Sequence, residues 1–304
     1  MNRIGIDLGG TKIAVAVVSS RGELLFEKRL PTPIANYGET LRVIGALVDE
    51  AEAQTDMPVG SGRVGVGSPG AESLIDGRIK NANSTVLNSK PLRQDLTDFL
   101  QRPVRLANDA NCMVLSEAVD GAAADAEVVF GVILGTGVGG GLVVNGQLIG
   151  GANRIAGEWG HNPLPWPTAD ELPGPACYCG ARGCIETWLS GPGLLADYQR
   201  SGGDPDVTSA ERVCDRENKF DRTATAVLAR YYTRLARGLA AVINVVDPDV
   251  IVLAGGLSNH LPIYERVPRL WQTWVFSDRV ETRLCQAVHG DASGVRGAAW
   301  LWPI

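Results

Sequence analysis

Ile4-Gly5-Ile6-Asp7-Leu8-Gly9-Gly10-Thr11-Lys12-Ile13-Ala14-Val15-Ala16-Val17-Val18 decides the fold. Arg3 to Leu8 and Ile13 to Ser19 are apolar, β-branched-rich runs, and the four residues between them carry two glycines and two polar side chains, so the stretch predicts a β-hairpin with a polar turn. The plan recurs. Val128 to Leu134 and Gly141 to Val144 flank Gly135-Thr136-Gly137-Val138-Gly139-Gly140, which predicts a second hairpin and a duplicated α/β domain. Other elements fill the plan out. Tyr37 to Gln54 places Leu41, Ile44, Leu47, Val48 and Ala51 on one helical face, and Arg63 to Gly67 and Val104 to Ala107 read as short strands. A helix should run from Asn108-Asp109 through Ala118, and a long one from Ala224 to Val246, stopped by Asp247-Pro248. Val250 to Leu253 is a buried strand ending in Ala254-Gly255-Gly256, and Pro163 to Pro175 is an ordered, irregular loop.

At 304 residues the chain is too long for one ordinary core and fits two domains. The expected division is a small α/β domain over 1–117, rejoined by a C-terminal helix at about 291–304, and a large α/β domain over 118–290. Strand pattern begins at Arg3 with no secretory signal before it, which points to a cytoplasmic protein. The net charge of −6 gives no general attraction to nucleic acid or an anionic membrane.

The most specific chemistry lies in Cys177-Tyr178-Cys179-Gly180-Ala181-Arg182-Gly183-Cys184, with His161 upstream in Gly157-Glu158-Trp159-Gly160-His161. Three thiolates and an imidazole suit a closed, structural Zn²⁺ site, and Gly180 and Gly183 let the chain turn tightly around one ion. A disulfide is the other reading. Cys177 and Cys179 are awkwardly close for pairing, and a bridge from Cys184 to either strands the other thiol. Glu158, three residues before His161, shares a face with it on a helical turn, leaving a carboxylate available to a ligand.

Three glycine-rich turns at strand ends read as a nucleotide cradle, with Thr11, Lys12 and Thr136 as donors to phosphate oxygens. Gly135, Gly137 and Gly140 match the dinucleotide spacing, but that motif must open a helix and here it opens a strand. No Gly-x-x-x-x-Gly-Lys-Ser/Thr occurs.

Asp7-Leu8-Gly9-Gly10-Thr11-Lys12, Gly135-Thr136-Gly137, Ala254-Gly255-Gly256, Glu158-x-x-His161 and Cys177-x-Cys179-Gly180-x-x-Gly183-Cys184-x-Glu186 together resemble the ROK family (repressors, open reading frames, kinases) of sugar kinases, along the whole chain. The resemblance implies the actin, Hsp70 and hexokinase fold (ribonuclease H-like): two α/β domains around an ATP and sugar cleft, with a structural zinc loop. It implies Asp109 as the catalytic base, although Asp is also a preferred helix N-cap. Asp7 would orient Mg²⁺ through water, Gly9, Gly10, Thr11, Lys12, Thr136 and Gly137 would hold phosphates, and Gly255 and Gly256 would back the adenosine. Asn83, Asn108, Asp109, Glu158, His161 and Glu186 are the implied sugar partners, since each sugar hydroxyl both donates and accepts. His161 would also ligate zinc with Cys177, Cys179 and Cys184, its second ring nitrogen facing the sugar. His260 and His289 carry no motif and read as structural.

Lys80 to Thr85, Gly157 to Trp166 and the ending His289 to Pro303 look most like bacterial fructokinases (manno(fructo)kinases), which implies ATP-dependent phosphorylation of D-fructose to fructose 6-phosphate. N-acetylglucosamine, glucose and mannose kinases of the same family are the alternatives. The stiff segment Asn162 to Trp166 is expected near the sugar, disfavouring an acetamido group. Relatives suggest a homodimer. A sugar-sensing repressor needs an N-terminal helix-turn-helix, and the chain enters its first strand at once.

Overall fold

The computed structural model describes residues 2–34, 36–82, 84–217 and 220–302. Two compact α/β units divide the chain: Met1–Ala124, Gly146–Ala156 and Val288–Ile304 form one, Asp125–Asn145 and Gly157–Ala287 the other. Of the expected site residues, Asn83 lies outside the described residues.

The first unit is built on a sheet with strand order Leu24–Pro31, Lys12–Val18, Arg3–Leu8, Arg63–Ser68, Val104–Asn108. Its first three strands run antiparallel; Arg3–Leu8, Arg63–Ser68 and Val104–Asn108 run parallel. Asp7 pairs with Gly67, and Ser68 with Asn108, so the polar ends of the parallel strands come level at one edge. In open α/β sheets, ligands bind at that edge. Helix Tyr37–Gln54, capped by the Asn36 side chain on the Glu39 N–H at 3.0 Å, buries Ile44, Leu47, Val48 and Ala51 against the sheet's core.

Helix Ser293–Trp300 closes the other side of this sheet at backbone distance. A Cβ on Gly5 would collide with the Val295 carbonyl, one on Gly65 with that of Ala298, and one on Gly297 with that of Cys112. Glu117, fully buried in helix Asp109–Asp120, secures the segment by accepting from the N–H groups of Ala122, Val288 and His289 and from Ser293 Oγ, at 2.8–3.1 Å. A buried carboxylate is stable only when its lone pairs are met in this way.

In the second unit, strands run in the order Val138–Val144, Val128–Leu134, Val250–Ala254, Arg283–Gln286, the first pair antiparallel and the others parallel. A hairpin followed by two parallel strands thus occurs twice, as the duplicated hairpins predict. One expectation is corrected. The second hairpin's return strand begins at Val138, so the turn is Gly135 to Gly137, and Gly139 and Gly140 belong to the strand.

Helix Arg222–Val246 is the spine of this unit, with Val227, Leu228, Tyr231, Leu235 and Leu239 fully or almost fully buried. It also anchors the proline-rich loop. Glu171 Oε1 accepts from Arg234 Nε and Arg237 Nη2, each at 2.7 Å, and its Oε2 from the Thr168 N–H at 2.9 Å. Asp197 takes Arg234 Nη1 at 2.6 Å, and Arg237 donates to the Trp166 carbonyl. Burial acts first to raise the Glu171 carboxyl, but the bonds from Arg237 and Arg234 outweigh it and hold the pKa near about 2.

Candidate active site

In the first unit, Asp7 ends its strand and the turn Gly9–Lys12 follows. The Gly9 N–H donates to the Lys12 carbonyl at 3.0 Å, and Thr32 secures the turn through Gly9 O and Thr11 O. Gly10, Thr11 and Lys12 are exposed, and Lys12 Nζ lies 3.4 Å from Asp291. Gly294 leaves the space that Asp7 needs, since a Cβ there would stand 3.1 Å from its Oδ2. Burial first, and then the negative charge of Asp109, push the Asp7 carboxyl up to about 6 against the opposing charges of Lys12 and Arg29. A buried carboxylate whose proton affinity is raised by a second carboxylate favours a bound cation.

Asn108, not Asp109, caps the next helix: its Oδ1 accepts from the Asn111 N–H at 2.7 Å, and Asp109 is the first helical residue. The capping reading of Asp109 is therefore replaced, because one residue's shift hands that task to its neighbour. The Asp109 carboxylate accepts from its adjoining Ala110 N–H at 2.8 Å and from its own N–H. Solvent touches this residue, yet surrounding protein desolvates the carboxylate enough to raise its pKa, with the Ala110 N–H pulling the other way. A desolvated carboxylate of raised pKa is a better proton acceptor than a solvated one.

In the second unit, Gly157 to His161 pack on the hairpin strand. Trp159 Nε1 donates to the Gly139 carbonyl at 3.1 Å, and a Cβ on Gly140 would stand 2.7 Å from the Gly157 carbonyl. The single 3₁₀ turn Trp159–His161 presents His161 to the cysteine loop. There the Cys177 N–H bonds the Ala181 carbonyl, and Gly180 and Gly183 take φ of +93° and +72°, the left-handed values that the tight loop demands.

The donor atoms of His161, Cys177, Cys179 and Cys184 all lie within 4.8 Å of one another. Around a tetrahedral zinc with Zn–S of about 2.3 Å and Zn–N of about 2.0 Å, sulfurs stand about 3.8 Å apart and nitrogen about 3.5 Å from sulfur. The structure has Cys179 Sγ to Cys184 Sγ at 3.7 Å and His161 Nδ1 to Cys177 Sγ at 3.6 Å. These spacings fit the metal and are too long for a disulfide, and all six cysteines are free thiols. His161 uses Nδ1 toward this set. Its Nε2, expected to face a sugar, meets the Tyr178 hydroxyl at 3.0 Å, with the two rings edge-on.

Glu186 joins this loop to the glycine turn. Its Oε2 accepts from the Val138 N–H at 2.9 Å, and glycine at 137 clears it, since a Cβ would lie 2.6 Å from that oxygen. The expected sugar ligand Glu186 and the expected phosphate residues Thr136 and Gly137 are thereby neighbours. Gly255, at φ +84°, packs on the Leu134 backbone at the end of the adjacent strand, and Gly256 opens a 3₁₀ turn beside Glu211. Glu158 is exposed and, with Glu186, lies close enough to act on the Tyr178 phenol, which burial first and then those charges push up to about 12. Sequence reasoning passed over Tyr178, although an aromatic residue between two metal-ligating cysteines marks it. His289, hydrogen-bonded to Asp120 Oδ1 at 3.0 Å, and His260, stacked on Tyr232, occupy structural positions as expected.

Level strand ends carrying carboxylates, glycine turns and a loop whose His and Cys donors fit a metal are the parts of a phosphoryl-transfer enzyme. The ROK family description matches residues 3–304, and the chain belongs to that family of sugar kinases. It is 42% identical over 303 residues to an N-acetyl-D-glucosamine kinase of Pectobacterium atrosepticum, covering 98% of this chain and 97% of that one. A Salmonella typhimurium protein with the same name is 43% identical, covering 98% of each. Among solved structures, a ROK hexokinase from Thermus thermophilus matches with a TM-score of 0.86 at 30% identity, over 98% of this chain and 97% of that one. A Streptomyces griseus ROK glucokinase, in complex with glucose and AMPPNP, matches with a TM-score of 0.79 at 26% identity over 99% of each. No helix among the described residues is long and apolar enough to cross a membrane.

Proposed function

We infer that the chain transfers the γ-phosphoryl group of ATP to N-acetylglucosamine. The observation that carries the substrate is that relatives 42% and 43% identical over nearly the whole chain are named N-acetyl-D-glucosamine kinases. The resemblance of Lys80 to Thr85, Gly157 to Trp166 and His289 to Pro303 to fructokinases points to fructose instead, with the stiff Asn162 to Trp166 segment expected to disfavour an acetamido group, and the relatives favour the alternative. Trp166 instead has its carbonyl tied to Arg237 in the buried Glu171 network and its ring half exposed, so its stiffness serves to anchor the loop to helix Arg222–Val246.

In this reading the acceptor hydroxyl attacks the γ-phosphorus, the bond to the bridging oxygen breaks, and ADP leaves. Asp109 receives the hydroxyl proton. The transition state is loose and in line, so the remaining residues position partners and balance charge. Thr11 and Lys12 meet phosphates from one turn, with Gly9 and Gly10 leaving room for them; Thr136 and Gly137 meet them from another. Gly255 and Gly256 let adenosine approach, and Asp7 would hold a Mg²⁺ ion, which would neutralise phosphate charge. Asn108, Glu158 and Glu186 hold sugar hydroxyls, and Cys177, Cys179 and Cys184 with His161 would bind zinc, which would supply a cross-link fixing the loop.

The test is direct competition of N-acetylglucosamine, D-fructose, glucose and mannose at equal concentration with ATP and Mg²⁺, identifying the phosphorylated product. N-acetylglucosamine should lead on kcat/KM by on the order of tenfold or more, because its acetamido group presents both a donor and an acceptor to a polar site. A predominance of fructose phosphate would overturn this acceptor and leave the sugar kinase in place.

A further inference from the structure

Tyr178 stands between two cysteines of the metal set, yet its own side chain is 77% exposed. Its hydroxyl is 3.0 Å from His161 Nε2, and the ring centroids are 5.1 Å apart at 90°. His161 Nδ1 faces Cys177 and the other sulfurs, so in the metal-binding tautomer the proton sits on Nε2, which donates to the phenol oxygen. The phenol's own proton is then available to another acceptor. Glu186 and Glu158 lie near enough for their charges to reach it. An imidazole and a phenol are therefore joined beside a ring that leaves most of its apolar surface uncovered, within reach of two carboxylate charges. The matching ligand is rich in hydroxyls and has an apolar C–H or methyl face: a hexose, and an acetamido hexose above all.

We propose that Tyr178 is a sugar-contacting specificity residue, its hydroxyl held by His161 Nε2 while donating to the acceptor sugar, and its ring packing on the sugar's apolar face. This rests on the reading that the sugar binds beside Glu158, His161 and Glu186. The phenol takes the place at His161 that a sugar hydroxyl was expected to fill, so sugar recognition passes through residue 178. A change there alters the acceptor without touching the nucleotide turns.

Two variants test this, Tyr178→Phe and Tyr178→Gly, each assayed with N-acetylglucosamine and with glucose, alongside zinc content and the KM for ATP. Loss of the hydroxyl alone should raise the sugar KM about three- to tenfold, the worth of one hydrogen bond. Loss of the ring should raise it further and shift the ratio of kcat/KM between the two sugars by about tenfold. Zinc content and the KM for ATP should stay at the wild-type values. Unchanged sugar KM and sugar ratio in both variants would overturn the proposal. So would a parallel loss of zinc, ATP binding and sugar binding, which marks a purely structural residue. A wild-type preference for another hexose would refute the acceptor reading alone, because the variant-to-wild-type ratios still report on Tyr178.

Discussion

Replacing Asp109 by Asn separates chemistry from architecture, because the structure gives the cap to Asn108. Two stability terms oppose each other. The first-turn negative charge is worth about 0.3–1 kcal/mol at a helix N-terminus, and Asn forfeits it. Against this, the Asp109 pKa is raised by desolvation. A folded-state pKa above the unfolded one means that ionised Asp109 costs stability, a cost absent at low pH that builds as pH rises through the unfolded and then the folded pKa. Neutral Asn escapes that cost, and its Oδ1 can still accept the Ala110 N–H now bonded at 2.8 Å. The net change should be within about 1 kcal/mol, or a Tm shift of no more than about 4 °C. Turnover has no such compensation. Asn cannot accept the hydroxyl proton, so kcat should fall about 10²- to 10⁴-fold, roughly 3–5.5 kcal/mol of barrier. The assay pairs steady-state kcat at saturating sugar and ATP with calorimetric sugar binding and a melting curve. Wild-type turnover in a well-folded Asp109→Asn protein would refute the base. Loss of stability and binding with turnover retained would restore a structural role.

Elemental analysis should find about one zinc per chain, as a closed four-donor site demands. Cys179→Ser should lower both zinc content and sugar turnover, and a metal-free variant with normal kinetics would refute the structural metal. Glu171→Gln should destabilise the second unit by about 3 kcal/mol, the pKa displacement from 4.5 to about 2 at 1.36 kcal/mol per unit, by leaving Arg234 and Arg237 half-paired in the interior. The depressed pKa means that this stabilisation is complete above about pH 4.5 and is lost as pH falls toward about 2. Urea unfolding across that interval should fall off more steeply for wild type than for Glu171→Gln, and parallel slopes would refute the linkage.

The strands and the long helices were legible because each carries its own periodicity: Val128–Leu134 was read to the residue, and Tyr37–Gln54 likewise. The gathering of His161, Cys177, Cys179 and Cys184 was legible because thiol chemistry and tight glycine turns are local. What failed depends on tertiary contact. Gly139 and Gly140 look like turn residues in sequence, but they are strand residues: the Gly139 carbonyl accepts from Trp159 Nε1, and Gly140 is kept small by Gly157 and Trp159, which pack against the strand. The choice between Asn108 and Asp109 as cap turns on one residue of helix register, and both side chains can cap. The Tyr178–His161 bond depends on loop closure, which no residue pattern encodes.

Glu186 shows why a cysteine loop suits this site. Its backbone follows Ile185, whose N–H bonds the Asn162 carbonyl at 2.9 Å, and its carboxylate takes the Val138 N–H, so two attachments hold it independently of the thiols. His161 has a different dependence. A single 3₁₀ turn carries it, and its ring is fixed through Nδ1 by the metal set and through Nε2 by a tyrosine within the same cysteine loop. Removing the ion should therefore release His161 and Tyr178 together while Gly137, Val138 and Glu186 stay joined. The damage from metal loss should fall more heavily on the KM for sugar than on the KM for ATP, because the groups that the ion alone secures are those assigned to the sugar.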